Sequence, residues 1–228
     1  MSIIRKLRRS LRRDGLAKTV ALCLRNLRTN PNQPLHSQFD DEHGVQTGGV
    51  VQLGDLVIES PSDAWGIAYT PTPTAVFASI MGILPPPQGY SFVDLGCGKG
   101  RVILMASEHP FREVIGVEFS SELCTIAEAN IATFRPRMRA QQVRILREDA
   151  ARFDFPSGPL IVYFYFAFTR QVLAPVVDRL MRRVDETFFV YYNVHDEDLF
   201  KNWDIVHADA QKGWCIWHRA GRFRQSEG

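Results

Sequence analysis

From Pro71 onward, short apolar runs alternate with stretches whose apolar residues recur at helical spacing. Residues Thr72–Leu84 read as a helix, closed by Pro85, Pro86 and Pro87. Tyr90–Leu95 reads as a strand, Gly98–His109 as a helix and Arg112–Phe119 as a second strand. Ser120 caps a helix running to Phe134, with Leu123, Ile126, Ala127, Ile131 and Phe134 on its buried face. Strands follow at Gln142–Asp149 and Pro159–Phe168, the second a long one. Thr169–Val184 is helical in pattern and turns Val172, Leu173, Val176, Leu180 and Met181 inward. Glu186–Asn193 is a further strand, and Asp204–Ala220 reads as two strands joined through Lys212-Gly213. This alternation predicts an α/β fold: a doubly wound, mostly parallel, seven-stranded sheet covered on both faces, with an antiparallel strand at one edge.

Ahead of this region the pattern changes. Met1–Gly15 sets Ile3, Ile4, Leu7 and Leu11 on one helical stripe among arginines, and Leu16–Leu27 reads as a second helix. Thr29–Ser62 is rich in Asn, Pro, Gly, Asp and Gln, and predicts a connecting arm with a short extended piece around Val50–Ile58. A connection of this length in a compact domain is often functional, for instance as a lid. The expected organisation is basic helices and an arm over residues 1–62, then the main domain over residues 63–228. Within the arm, Asp40, Asp41, Glu42 and His43 are adjacent in sequence. Neighbouring residues rarely converge on one ion, so a solvated acidic turn is expected there and not a metal site.

Composition narrows the class. With 45 % apolar and 23 % charged residues the chain is globular and not disordered. No apolar run approaches the ~18 residues that span a bilayer. Cys23, Cys97, Cys124 and Cys215 lack CxxC spacing and suit reduced thiols in the cytoplasm, not a disulfide frame or zinc site. The formal charge of +2 is uneven: Met1–Arg28 holds nine basic residues against Asp14, so the remaining residues carry −6. That acidic domain is a poor surface for tracking phosphates. A nucleic acid or an anionic membrane surface would meet the N-terminal arm. The arm has two other readings: a helix docking its apolar stripe on the domain, and an Arg-rich targeting peptide.

Candidate chemistry gathers at predicted strand ends, where an open parallel sheet binds its ligands. The first strand ends in Asp94-Leu95-Gly96-Cys97-Gly98-Lys99-Gly100-Arg101. Gly96, Gly98 and Gly100 allow a sharp turn and close approach of a ligand, ahead of a helix N-terminus. The spacing is GxGxG and not the GxGxxG of dinucleotide sites. Asp94 is badly placed for a pyrophosphate but well placed for an ammonium or sulfonium. S-adenosylmethionine carries both cations, and its carboxylate can use N–H groups of the turn. Glu118, twenty residues after Gly98, ends the second strand where a carboxylate accepts from two ribose hydroxyls. Asp149 ends the third, placed to accept from the adenine amine. Each acid alone would pass as an ordinary turn residue, but three at successive strand ends form a site.

These stretches, Asp94–Arg101, Val114–Ser120 and Ile145–Ala150, resemble the first three motifs of the class I S-adenosylmethionine-dependent methyltransferases. The resemblance spans about residues 69–219. It implies a Rossmann-like methyltransferase fold with residues 63–228 as the catalytic domain, S-adenosyl-L-methionine as cofactor, and no metal. It places Asp94, Gly96, Cys97, Gly98 and Gly100 around the methionine portion, Glu118 and Phe119 at the ribose, and Asp149 and Ala150 beside the adenine. Phe39–Gly49 followed by Gly66–Pro73 also resembles the leader of a bacterial subgroup with a Tyr-x-Pro-Thr element. By that likeness Tyr69, Thr70, Pro71 and Thr72 border the methionine end and the acceptor.

The fourth strand departs from the family pattern. An Asn-Pro-Phe or related motif often stands there and orients an amine, but this chain has Phe166-Ala167-Phe168, with no amide or carboxylate to accept from an amine, which tells against N-methylation. Tyr69, Tyr165, Phe166 and Phe168 are the residues expected at the reacting centre, with Phe166 also beside the cofactor. The general base is unassigned: Tyr163, Tyr165, Tyr191, Tyr192, Asn193 and His195 are candidates, and a buried aromatic core accounts equally well for several of them. His195 with Asp196, Glu197 and Asp198 suits an acid-rich helix start better than a metal site. The expected function is methyl transfer to a small-molecule or protein acceptor. The alternatives are a non-catalytic module that binds the cofactor, and an RNA-directed enzyme using the basic arm.

Overall fold

The computed structural model describes residues 37–52 and 65–221. Both predicted N-terminal helices, and the part of the extended piece after Gln52, lie outside them. Seven strands form one sheet: β1 (Ser91–Leu95), β2 (Glu113–Glu118), β3 (Val143–Arg147), β4 (Leu160–Phe164), β5 (Thr187–Tyr192), β6 (Asp204–Asp209) and β7 (Trp214–Arg219). Their order is β3-β2-β1-β4-β5-β7-β6. The first five run parallel, while β7 is antiparallel to both β5 and β6. The predicted doubly wound sheet is therefore the observed one, although the antiparallel strand lies inside the sheet and β6 takes the edge.

The helices are α1 (Gln38–His43), α2 (Thr74–Met81), α3 (Arg101–Ser107), α4 (Ser121–Phe134) and α5 (Arg170–Met181). Side chains alternate across each strand and so divide the core into two layers. Phe92 of β1 and Ile161 and Tyr163 of β4 pack with Ile103 and Leu104 of α3 and Ile131 of α4. Val93, Leu95, Val162 and Phe164 pack on the other face with Val172, Leu173 and Val176 of α5. Asp94 shares the parity of Phe92 and belongs to the α3 side. The Ser120 cap of α4 is present, its hydroxyl accepting from Leu123 N at 3.3 Å. On α4 and α5 the expected inward residues are buried except Ile126 and Met181, which are half-buried.

Two sequence expectations are corrected here. The long fourth strand stops at Phe164, four residues early. Phe166 has φ of 37°, a left-handed backbone that ends an extended run. The chain beyond it pairs with the arm instead: Gly66 bridges Phe168, and Ile67 N donates to the Ala167 carbonyl at 2.8 Å. The acidic stretch in the arm is not a solvated turn. It is helix α1, started by Ser37, whose hydroxyl accepts from Asp40 N, and stopped by Gly44 at φ 66°. Asp40 is 2 % exposed because it satisfies buried partners described below.

The chain runs from β1 outward through β2 to β3, then crosses back to β4 on the other side of β1. That reversal opens a crevice beyond the carboxyl ends of β1 and β4, the position at which such sheets bind ligands.

Candidate active site

A cleft of about 820 Å³, its open mouth included, fills that crevice. Its floor is the glycine turn after β1. Gly96, Gly98 and Gly100 have φ of 80°, 55° and 84°, all left-handed. Gly96 N and Cys97 N donate to the Val117 carbonyl at 2.8 and 3.1 Å, Gly98 N to a Glu118 carboxylate oxygen at 3.0 Å, and Gly100 N to the Cys97 carbonyl at 2.9 Å. The turn is thus rigid, and four of its amides are committed within the protein.

Asp94, Gly96, Cys97, Gly98, Glu118, Phe119, Asp149 and Ala150 all line the cleft, as do Tyr69, Thr70, Pro71 and Thr72 of the arm. Gly100 does not; it caps α3 and packs 3.2 Å, by its would-be Cβ, from Ala127. Asp94 is 4 % exposed, and its carboxylate accepts no hydrogen bond among the described residues. Burial, then the neighbouring Glu118, holds its pKa well above the ordinary carboxylate range. Burial also raises that of Glu118, against the pull of N–H groups of Ser120, Gly98 and Phe119. Glu118 accepts from Ser120 N at 2.9 Å, which fixes the carboxylate in the plane of the turn. Asp149 accepts from Ala151 N at 2.9 Å at the start of the turn that follows β3.

At the far end the cleft is walled by Ile67, Ala68, Tyr163, Tyr165, Ala167 and Phe168. Thr72 and Tyr163 share a hydrogen bond of 2.8 Å between hydroxyls. Tyr165 packs on Tyr192 with ring centroids 4.2 Å apart, and burial, then Tyr192, pushes its pKa up to about 12. Phe166 does not line the cleft; its ring lies 4.0 Å from that of His195. Tyr191, Tyr192, Asn193 and His195 do not line it either. Asp198 binds Arg170 through two contacts of 2.6 and 2.7 Å, and Asp196 lies 3.6 Å from the same guanidinium, so these acids serve an ion pair.

The residues that sequence reasoning missed hold the arm on the turn. Asp40 accepts from Thr47 N at 3.0 Å, Thr47 Oγ1 at 2.5 Å and Gly48 N at 2.6 Å, and pairs with Arg101 at 3.3 Å. Burial pushes its carboxyl up, but those donors and the Arg101 charge bring it below the usual range. Arg101 Nε donates to Thr47 Oγ1 at 2.7 Å, Tyr69 Oη to the Thr47 carbonyl at 2.6 Å and Lys99 Nζ to the Gly48 carbonyl at 2.7 Å. Asn130 of α4 exchanges hydrogen bonds with both main-chain groups of Gln46. A Ser-x-x-Asp start followed by Gly44 signals the α1 cap in sequence. Nothing local signals that Asp40 meets Arg101 61 residues later.

The donor set fits S-adenosylmethionine. Four carboxylates, of Asp94, Glu118, Glu148 and Asp149, line a cleft in which Arg101 is the one Lys or Arg among the described residues. A cationic ligand relieves that excess, and a Cβ at Gly96 or Gly98 would close the floor on Ala167 or Tyr69.

Known proteins agree with this geometry. Residues 92–187 match a family model described as a methyltransferase domain. The chain is 26 % identical over 117 residues to a protein-lysine N-methyltransferase of Saccharolobus islandicus, covering 51 % of this chain and 71 % of that one. Its fold is similar to that of a predicted N6-adenine-specific DNA methylase from Listeria monocytogenes, with a TM-score of 0.52 and 11 % identity. That match covers 66 % of this chain and about half, 52 %, of the Listeria chain. A ribosomal protein L11 methylase from Lactobacillus delbrueckii also aligns, at 16 % identity and a TM-score of 0.46 over 66 % of this chain and 79 % of its own. Residues 92–187 of the chain thus carry a methyltransferase domain, on a sheet ordered β3-β2-β1-β4-β5-β7-β6. S-adenosylmethionine is its cofactor, and no helix among the described residues is long and apolar enough to cross a membrane.

Proposed function

We propose that the acceptor is the ε-amine of a lysine side chain on a protein. The observation that carries this reading is the far wall of the cleft: Tyr163, Tyr165 and Phe168 with Ile67 and Ala68, and no His, Asn or Gln among the described lining residues. Such a wall suits a long alkyl stem ending in an amine better than a heterocycle that needs hydrogen-bonded edges. The relative named as a protein-lysine N-methyltransferase supports it.

When bound, the cofactor supplies an electrophilic methyl group on a sulfonium. The protein's tasks are to hold the acceptor in line and to deliver it as a free amine. An ammonium entering an apolar, ring-lined channel loses hydration, and burial lowers the pKa of a lysine. The proton is then released to water before transfer, so no side chain has to act as base. Tyr165, with its pKa at about 12, stays protonated at neutral pH and serves as wall. Asp94, Glu118 and Asp149 hold the cofactor's ammonium, ribose and adenine from three strand ends, and the arm carrying Tyr69 excludes water from above. The same reading sets the protein in the reducing cytoplasm, which the free thiols of Cys97, Cys124 and Cys215 suit.

The test is a lysate incubated with the protein and methyl-labelled cofactor, then separated into protein, RNA and small molecules. Label recovered as N-methyl-lysine after hydrolysis of the protein fraction is the expected result. Label confined to RNA or to small molecules would overturn the lysine reading while leaving the cofactor assignment intact.

A further inference from the structure

We infer that Arg101 binds the methionine carboxylate of the cofactor through its Nη1, and that Asp40 is the residue that positions it. The inference rests on the cofactor assignment and is independent of the acceptor.

The cofactor's amino-acid end carries one anion, and the cleft offers few groups to meet it. The glycine turn is the usual place to look for free amides, yet those of Gly96, Cys97, Gly98 and Gly100 are already bonded to Val117, Glu118 and Cys97. Of the charged side chains lining the cleft, four are carboxylates, and among the described lining residues Arg101 alone is a cation. Lys99 is turned to the Gly48 carbonyl and does not line it.

Arg101 is also held for this task. It is the first residue of α3, directly after the turn, and only 6 % exposed. Its Nε is committed to Thr47 Oγ1, and its Nη2 to Ser37 Oγ and Asp40 Oδ1. Nη1 makes no hydrogen bond among the described residues. A guanidinium carries five N–H donors in a rigid fork, so fixing two nitrogens fixes the third. Asp40 in turn is anchored by Thr47 and Gly48. The arm and the turn thus form one scaffold around a guanidinium whose Nη1 makes no hydrogen bond among the described residues. The buried carboxylate of Asp94, which lines the same cleft, meets the ammonium of the same amino-acid group, which places opposite protein charges on opposite ligand charges.

The test compares three ligands by calorimetry: S-adenosylhomocysteine, its decarboxylated analogue, and 5′-methylthioadenosine, which lacks the whole amino-acid group. Native protein is expected to bind S-adenosylhomocysteine about 10- to 100-fold more tightly than the decarboxylated analogue, the range of one charge-assisted hydrogen bond. In the paired variant Asp40→Asn/Arg101→Gln, which leaves no buried charge alone, that ratio is expected to fall towards one. Affinity for 5′-methylthioadenosine should stay within a few-fold, which also reports an intact fold. Arg101→Lys keeps the charge without the fork and should recover part of the ratio. Asp40→Asn alone should lower the ratio although Asp40 does not touch the ligand, since Nη1 loses its alignment. A ratio near one in the native protein, or an unchanged ratio in the paired variant, would overturn the inference. Equal losses for all three ligands would assign Arg101 and Asp40 to the fold alone. Failure of the native protein to bind any of the three would instead overturn the cofactor assignment on which this rests.

Discussion

The Tyr69 ring lies against the main chain of Gly98, so closely that a Cβ added to Gly98 would stand 2.0 Å from Tyr69 Cδ2. The arm and the glycine turn are therefore built to each other's shape, with the Tyr69 hydroxyl tied to the Thr47 carbonyl behind. Gly98→Ala has two costs: a side chain at φ 55°, about 1–2 kcal/mol, and displacement of the ring. The expected result is a fall in Tm and at least a tenfold loss of affinity for S-adenosylhomocysteine. Adding Tyr69→Ala to Gly98→Ala should restore part of the Tm by removing the clash. A Gly98→Ala variant with native Tm and affinity would show that the ring is free to move.

Much of this arrangement was legible in the sequence, and the exceptions have physical causes. Strand ends carrying Asp94 and Glu118 can be read because each closes an apolar run, and that of Asp149 because it follows the alternating Val143–Arg147 stretch, all local signals. All three line the cleft. The end of β4 cannot be read that way, because Tyr165, Phe166, Ala167 and Phe168 continue the apolar run past the last sheet pairing at Phe164. What stops the strand is a backbone angle at Phe166 and pairing to Gly66 from the distant arm. The role of Asp40 is hidden from a local reading for a related reason. Acidic neighbours suggest solvent, and only tertiary contact with Thr47 and Arg101 makes one of the four a buried anchor.

Glu118 braces the turn and, in the proposed reading, also holds the ribose, and a pair of variants separates the two. Its carboxylate accepts from Gly98 N and Ser120 N, so it braces the turn before any ligand arrives. Glu118→Gln keeps one acceptor oxygen but loses the charge. Glu118→Ala loses both braces and leaves buried donors unpaired, at about 1–3 kcal/mol each. Binding of S-adenosylhomocysteine should weaken by about 10-fold in the first and more than 100-fold in the second, with a fall in Tm confined mainly to the second. Unchanged affinity in both, measured by calorimetry, would remove Glu118 from the ribose.

With Asp94 facing the cofactor's ammonium, as proposed above, ligand binding is expected to depend on pH. Its folded pKa is raised above the unfolded value, so in the window between the two the folded chain holds more protons than the unfolded one. Stability of the free protein then falls as pH rises through that window. A bound ammonium favours the ionised carboxylate, so the Tm increment given by S-adenosylhomocysteine should grow as pH rises across the same window. Asp94→Asn should raise the Tm of the free protein at neutral pH, weaken binding, and flatten the increment. Thermal melts with and without ligand at a series of pH values decide this, and an increment that shrinks with rising pH contradicts it.

The acceptor wall gives the last prediction. Tyr165 lines the cleft, whereas the neighbouring Phe166 turns its ring onto His195 outside it. If the amine loses its proton to water and the rings only desolvate and align it, the Tyr165 hydroxyl has little to do. Tyr165→Phe should therefore leave kcat and KM for a lysine acceptor within about threefold, with the same pH profile. Tyr165→Ala removes the ring, worth about 1.5–3 kcal/mol of apolar contact, and should lower kcat/KM by about 10- to 100-fold. Affinity for S-adenosylhomocysteine should hardly move in either variant. Phe166→Ala should fall between them, because it touches the acceptor wall only through its strained backbone. A loss in Tyr165→Phe as large as that in Tyr165→Ala, with a shifted pH profile, would give the hydroxyl a direct part in proton transfer. It would also replace the desolvation account of how the amine is made nucleophilic.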